Sequence, residues 1–233
     1  MSAAAKRGTW TYVGVGCAVV GFGVLAAVVA LGYWFYRSAD RMRHEMTDAG
    51  SREAKAKAVL GCTEIPAGYH ASLAVSIPFV MDMAILGDRE PEIGKDGRLF
   101  ERRGFVYLKT LRHRTAADVE KFFEGKAAVD QIVPGAGVTI SEGEEIGRGL
   151  IERGDVTIRY LSRKGTLTTR GQSVAGINSF LLFECPGDSR SRMGIWFGPD
   201  TAEGTSGPER YAGTPADESA IREFTSHLFP CAS

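Results

Sequence analysis

The stretch YHASLAVSIPFVMDMAIL (residues 69–86) decides how the chain is built. As a single helix it would be a membrane span. Asp82, Pro78 and the polar ends oppose that reading, because a span needs ~20 predominantly apolar residues. As extended chain, Val75, Ile77, Phe79, Val80, Met83, Ile85 and Leu86 become core positions. Proline cannot donate to a ladder, so Pro78 must sit at a bulge, an edge or a break. The expectation is one or two buried strands.

The same period recurs toward the C-terminus. Across residues 104–111, Phe105, Tyr107 and Lys109 face one way and Val106, Leu108 and Thr110 the other. Residues 144–151 and 156–161 read as strands around the turn Glu152-Arg153-Gly154-Asp155. Residues 179–185 and 192–197 read as two more, stopped at Pro186-Gly187 and Gly198-Pro199. Thr115-Ala116-Ala117-Asp118 reads as a capping box opening a short helix with Val119, Phe122 and Phe123. A last helix is expected from Thr214 as N-cap and Pro215 at the first position, with Ile221, Phe224 and Leu228 on its apolar face. Strands and helices do not alternate regularly, which speaks against a doubly wound parallel sheet. The expected class is α+β, a mainly antiparallel sheet with about two helices packed on one face.

Toward the N-terminus the pattern changes. No charged residue occurs from Gly8 to Tyr36, and Trp10, Tyr12 and Tyr33-Trp34-Phe35-Tyr36 bracket the run. At ~1.5 Å per residue it can cross a ~30 Å hydrocarbon core, with its rings at the headgroup boundaries. The bulky rings at its end stand where cleavage-site residues would belong, so a retained anchor is expected instead of a cleaved signal. Gly16, Gly23, Ala27 and Ala30 share one helix face, a route to homo-oligomers, although such residues are common in membrane helices. The organisation read is a tail at 1–11, a transmembrane helix at 12–36, a helical or flexible stalk at 37–61, and a domain at 62–233. Lys6 and Arg7 favour an inside N-terminus, whereas Arg37, Arg41 and Arg43 pull the other way. Long domains translocate largely regardless of charge. A periplasmic, extracytoplasmic domain is the expectation, with a cytosolic one as the alternative.

The chain has 233 residues, 44% of them hydrophobic, with 28 basic and 28 acidic side chains. That is too apolar for a disordered chain, and zero net charge argues against nucleic acid as a partner. Its single Asn, Asn178, and its 20 Arg against 8 Lys suggest GC-rich DNA and, with the anchor, a bacterial envelope.

Candidate chemistry is sparse. Arg98, Arg102, Arg103, Lys109, Arg112 and Arg114 surround Phe105 and Tyr107, and Arg159, Arg163, Lys164 and Arg170 add charge further on. If Arg102, Arg103, Lys109, Arg112 and Arg114 share a face, it would meet an anionic or protein partner; otherwise they are a solvated surface. Gly171-Gln172-Ser173-Val174-Ala175 resembles a nucleophile elbow, but that device needs a strand before it and a helix after it. A plain loop is expected there. Asp88, Glu90, Glu92 and Asp96 form an acidic loop that misses calcium-loop spacing. His44, His70, His113 and His227 are scattered, so no metal or cofactor is assigned. Cys17 lies in the apolar run, leaving Cys62, Cys185 and Cys231 for one disulfide. Cys62–Cys231 would tie the domain's ends together; Cys185–Cys231 and three reduced thiols remain as alternatives.

The function expected from these features is a single-pass membrane-anchored, non-enzymatic binding domain at the envelope. A membrane-anchored hydrolase using Ser173 and a structural subunit of a membrane assembly are the alternatives.

Overall fold

The computed structural model describes Tyr33, Arg37 and residues 48–78, 80–91, 98–110, 116–124, 138–141, 143–169, 172–188, 190–201 and 208–231. The tail at 1–11, nearly all of the 12–36 run and residues 38–47 of the stalk lie outside them. Among the described residues no helix is long and apolar enough to cross a membrane.

The first described helix, α1 (Ala49–Leu60), starts at Asp48, whose carboxylate accepts the Ser51 N–H, and stops at Gly61 in the left-handed region. Sequence reading assigned these residues to the stalk, but they are packed. Ala56 and Leu60 are fully buried, and the Arg52 Nε donates to the Ala71 carbonyl. The 69–86 run is a hairpin, β1 (His70–Ile77) and β2 (Met81–Gly87), broken at Pro78. Next come β3 (Gly104–Thr110), α2 (Ala116–Phe123) and the short β4 (Val138–Ile140). Then β5 (Glu145–Arg153), β6 (Val156–Thr169), β7 (Gln172–Glu184) and β8 (Ser191–Gly198) follow in succession. A 3-10 turn (Pro208–Tyr211) and α3 (Glu218–Ser226) end the described order.

All eight strands form one antiparallel sheet, ordered β1-β2-β3-β8-β7-β6-β4, with β5 also beside β6. Two meanders, β1–β3 and β5–β8, meet where β3 pairs with β8. The α+β, mainly antiparallel reading is therefore what the chain forms. β6 and β7 are longer than their apolar centres implied, because the ladder continues to the Thr169–Gln172 pair and buries Leu167 and Ile177 on the way.

Strand side chains alternate between faces, and both faces are buried. Leu86, Phe105, Leu181, Phe183 and Trp196 pack with α1 and α3. Ile85, Val106, Phe180, Ile195 and Phe197 pack with α2 and the segment at Leu99-Phe100. This corrects the expectation that the helices share one face. Phe224 of α3 stacks on Trp196 at 4.6 Å and meets Phe105 edge-on at 5.1 Å. Phe122 of α2 meets Phe180 at 4.8 Å. Between the strands, Gly194 leaves room for the Phe105 ring; a Cβ there would fall 2.6 Å from it. The α3 cap is also corrected. Asp217, not Thr214, accepts the Ser219 N–H, while Thr214 closes the turn before it by donating to the Tyr211 carbonyl. Thr115, proposed to open α2, lies outside the described residues.

Candidate functional site

Among the described residues, the basic side chains singled out by sequence differ in exposure. Arg102 and Arg103 are exposed just before β3, and their N–H groups donate to Asp88 at 3.1 and 3.0 Å. Asp88, read as part of an acidic loop, is thus a backbone clamp. The Arg103 guanidinium lies over the Tyr69 ring at 5.8 Å. Lys109 is buried and meets Asp82 at 3.4 Å. Phe105 and Tyr107, which the patch was to surround, are fully buried. Arg112 and Arg114 lie outside the described residues, as does Arg170. In the second basic stretch, Arg159 pairs with Glu184 at 2.9 Å and Lys164 with Asp200 at 2.6 Å, while Arg163 lies over Phe122 at 5.3 Å. A charge already matched by a neighbour has little attraction left for a partner.

Ser173 lies inside β7, and its hydroxyl shares a 2.8 Å hydrogen bond with that of Thr168. The strand runs on through it, so the sharp strand-to-helix turn of a nucleophile elbow is not formed there. Among the described residues no group of three or more His, Cys, Asp or Glu side chains gathers as a metal would require.

What the structure does assemble lies at the sheet end where β8 begins. Ser76, Asp82, Lys109 and Arg192 are successive partners across β1, β2, β3 and β8. Ser76 donates to Asp82 through its hydroxyl. Arg192 is 1% exposed. Its Nε donates to the Pro230 carbonyl at 2.9 Å and its Nη2 to Asp188 at 2.5 Å, whereas its Nη1 is buried without a partner. Arg190 also donates to Asp188, from the backbone and the guanidinium. Arg190, with Arg192 beside it, holds the Asp188 carboxyl well below the usual carboxylate range. The Tyr107 hydroxyl is buried beside Arg192; burial raises its pKa, and the Arg192 charge opposes that rise. Isolated, any of these buried charges would cost several kcal/mol of desolvation, so the paired row is what lets the sheet end close.

The C-terminal tail covers this row. Cys231 is joined to Cys185 at the start of the β7–β8 turn, and Cys62 is a free, buried thiol whose pKa burial pushes up. The expected Cys62–Cys231 pairing is thereby corrected, and its alternative is the one formed. The tail reaches Cys62's neighbourhood without joining it: the Phe229 N–H donates to the Leu60 carbonyl at 3.0 Å. Arg153 donates to the carbonyls of Thr225 and Leu228.

Beside the row, a cavity of about 260 Å3 lies against α2 and the ends of β6, β7 and β8. Val119, Phe123 and Leu182 give it apolar walls; Glu120, Arg159, Glu184, Asp188, Arg190 and Arg192 give it charged ones. Sequence reading missed Asp188 and Arg192. Their signal was present in Asp188-Ser189-Arg190-Ser191-Arg192, an acid followed by Arg two and four residues later in a turn after a cysteine.

No protein-family model matches the chain, and no curated protein is detectably similar to it in sequence.

Proposed function

We propose that the chain is a single-pass membrane-anchored protein whose α+β domain lies outside the cytoplasm and serves as a binding domain at the cell envelope, not as an enzyme. The observation that carries this reading is the Cys185–Cys231 disulfide. Disulfides form and persist in oxidising compartments and are rare in the cytosol. The uncharged run from Gly8 to Tyr36 supports the anchor. The cavity at the β8 end supports a binding role.

The test is thiol mapping on intact cells with a membrane-impermeant maleimide. Cys185 and Cys231 are expected to react from outside the cell only after reduction, and Cys62 only after unfolding. Labelling that needs lysis but no reductant would place the domain in the cytosol and overturn the reading.

A further inference from the structure

The two edges of the sheet are finished differently. At one edge α1 lies against β1, and Arg52 donates to the Ala71 carbonyl. At the other, β5 has β6 on one side and, among the described residues, no strand on its second side. The Gly154-Asp155 turn closes on Arg153 and Val156, and a two-residue turn closes on a hydrogen-bonded pair. Counting back, the bonds to β6 fall at Arg153, Ile151 and Gly149. Arg148, Leu150 and Glu152 therefore turn their N–H and C=O groups to the open edge. Their side chains share one face and are exposed, Leu150 by 58%.

Charged residues usually blunt an open edge. On β5 their order fits a second copy. With β5 laid antiparallel on itself and Leu150 opposite Leu150, Arg148 falls opposite Glu152 on both sides of the twofold axis. That register also sets the outward N–H and C=O groups of the two strands against each other. The adjacent registers that keep those bonds put Leu150 opposite Arg148 or Glu152 and lose the Arg148–Glu152 pairs. The first brings Glu145 opposite Arg153, but Arg153 is already held by the carbonyls of Thr225 and Leu228. Arg148 pairs with Glu145 at 2.6 Å within the chain, an exposed ion pair of the kind that is worth little and is readily exchanged.

We propose that β5 is a homodimer edge, at which two copies of this chain pair β5 with β5 about a twofold axis at Leu150. One sheet then runs through both copies. Main-chain bonds supply the affinity, and the two Arg148–Glu152 pairs fix the register. The pairing holds whichever compartment contains the domain.

The test is disulfide trapping of the full-length protein in freshly broken cells, where competing partners are present, with Cys17 changed to Ser throughout. Directly opposed Cα atoms of an antiparallel pair lie ~4.5–5.5 Å apart, within disulfide reach. Leu150→Cys should therefore crosslink to itself about tenfold faster than Val80→Cys, an equally exposed site at 57% on the β1–β2 turn. Adding Glu152→Arg sets two like-charge pairs across the axis and should slow trapping about tenfold. Adding Arg148→Glu to that variant should restore it. Equal trapping at residues 150 and 80 overturns the proposal, as does an undiminished rate with Glu152→Arg or no recovery in the charge-swapped variant. Trapping of Leu150→Cys on a different protein also overturns it and gives the edge to another partner.

Discussion

Asp188 shows how much one carboxylate can organise. It accepts from the Arg190 backbone at 2.8 Å and from the guanidinium groups of Arg190 and Arg192. Its folded pKa is pushed well below the ordinary 3.8. A depressed carboxyl pKa contributes stability that is present above the unfolded value and is lost as pH falls toward the folded one. Stability should therefore decline below about pH 4, and Asp188→Asn should flatten that decline while lowering stability at neutral pH. Urea midpoints of both proteins at neutral and acid pH check this; parallel declines would show that the pairing adds nothing. Tyr160 lies at the other extreme of the titration range. Burial first, and the nearby Glu218 next, push its hydroxyl up to about 12, so it stays neutral as it faces Glu218 at 3.2 Å.

At the scale of elements, α3 illustrates how a short helix is fixed. Nine residues are too few to hold a helix alone, so tertiary packing must supply most of its stability. Ile221 and Phe224 supply the buried face, and the Asp217 cap supplies the start. The Asp217 carboxyl accepts from the N–H groups of Gly213 and Ser219 at 2.8 and 3.0 Å, which holds its pKa down. Asp217→Ala should cost about 1 kcal/mol, measured by chemical denaturation. A null result would return the cap to Thr214. The C-terminus of α1 is fixed differently. Gly61 has φ +66°, and a Cβ there would fall 2.1 Å from the Phe229 carbonyl oxygen. The helix therefore stops where the tail crosses it.

At the scale of the whole molecule, the disulfide closes a 46-residue separation and holds the tail against the β7–β8 turn. On the loop-entropy model such a closure contributes about 4 kcal/mol. The double variant Cys185→Ser, Cys231→Ser should lose roughly that much global stability, read from guanidinium midpoints without reductant. An unchanged midpoint would mean that the tail's hydrogen bonds to Arg153, Arg192 and Leu60 suffice. Much of this architecture was legible beforehand. Strands at 104–110 and 191–198 and the break at Pro78 follow from alternation and turn residues, which are local properties of adjacent residues. The candidate site was not legible in the same way. Lys109 falls in strand alternation just as Phe105 and Tyr107 do, yet whether that face meets water or a helix depends on where α1, α3 and the tail dock. The pairing of β3 with β8 buries Lys109 beside Arg192, whereas Arg102 and Arg103 just before β3 stay exposed. The choice of Cys185 over Cys62 likewise depends on which turn the tail reaches. Sequence alone determined the strand periods, the antiparallel class and the list of cysteines available, because near-neighbour sterics and hydrophobic alternation set them. Only the tertiary structure decided which charges are buried, which are matched and which two thiols meet, because those depend on contacts between residues far apart in the chain.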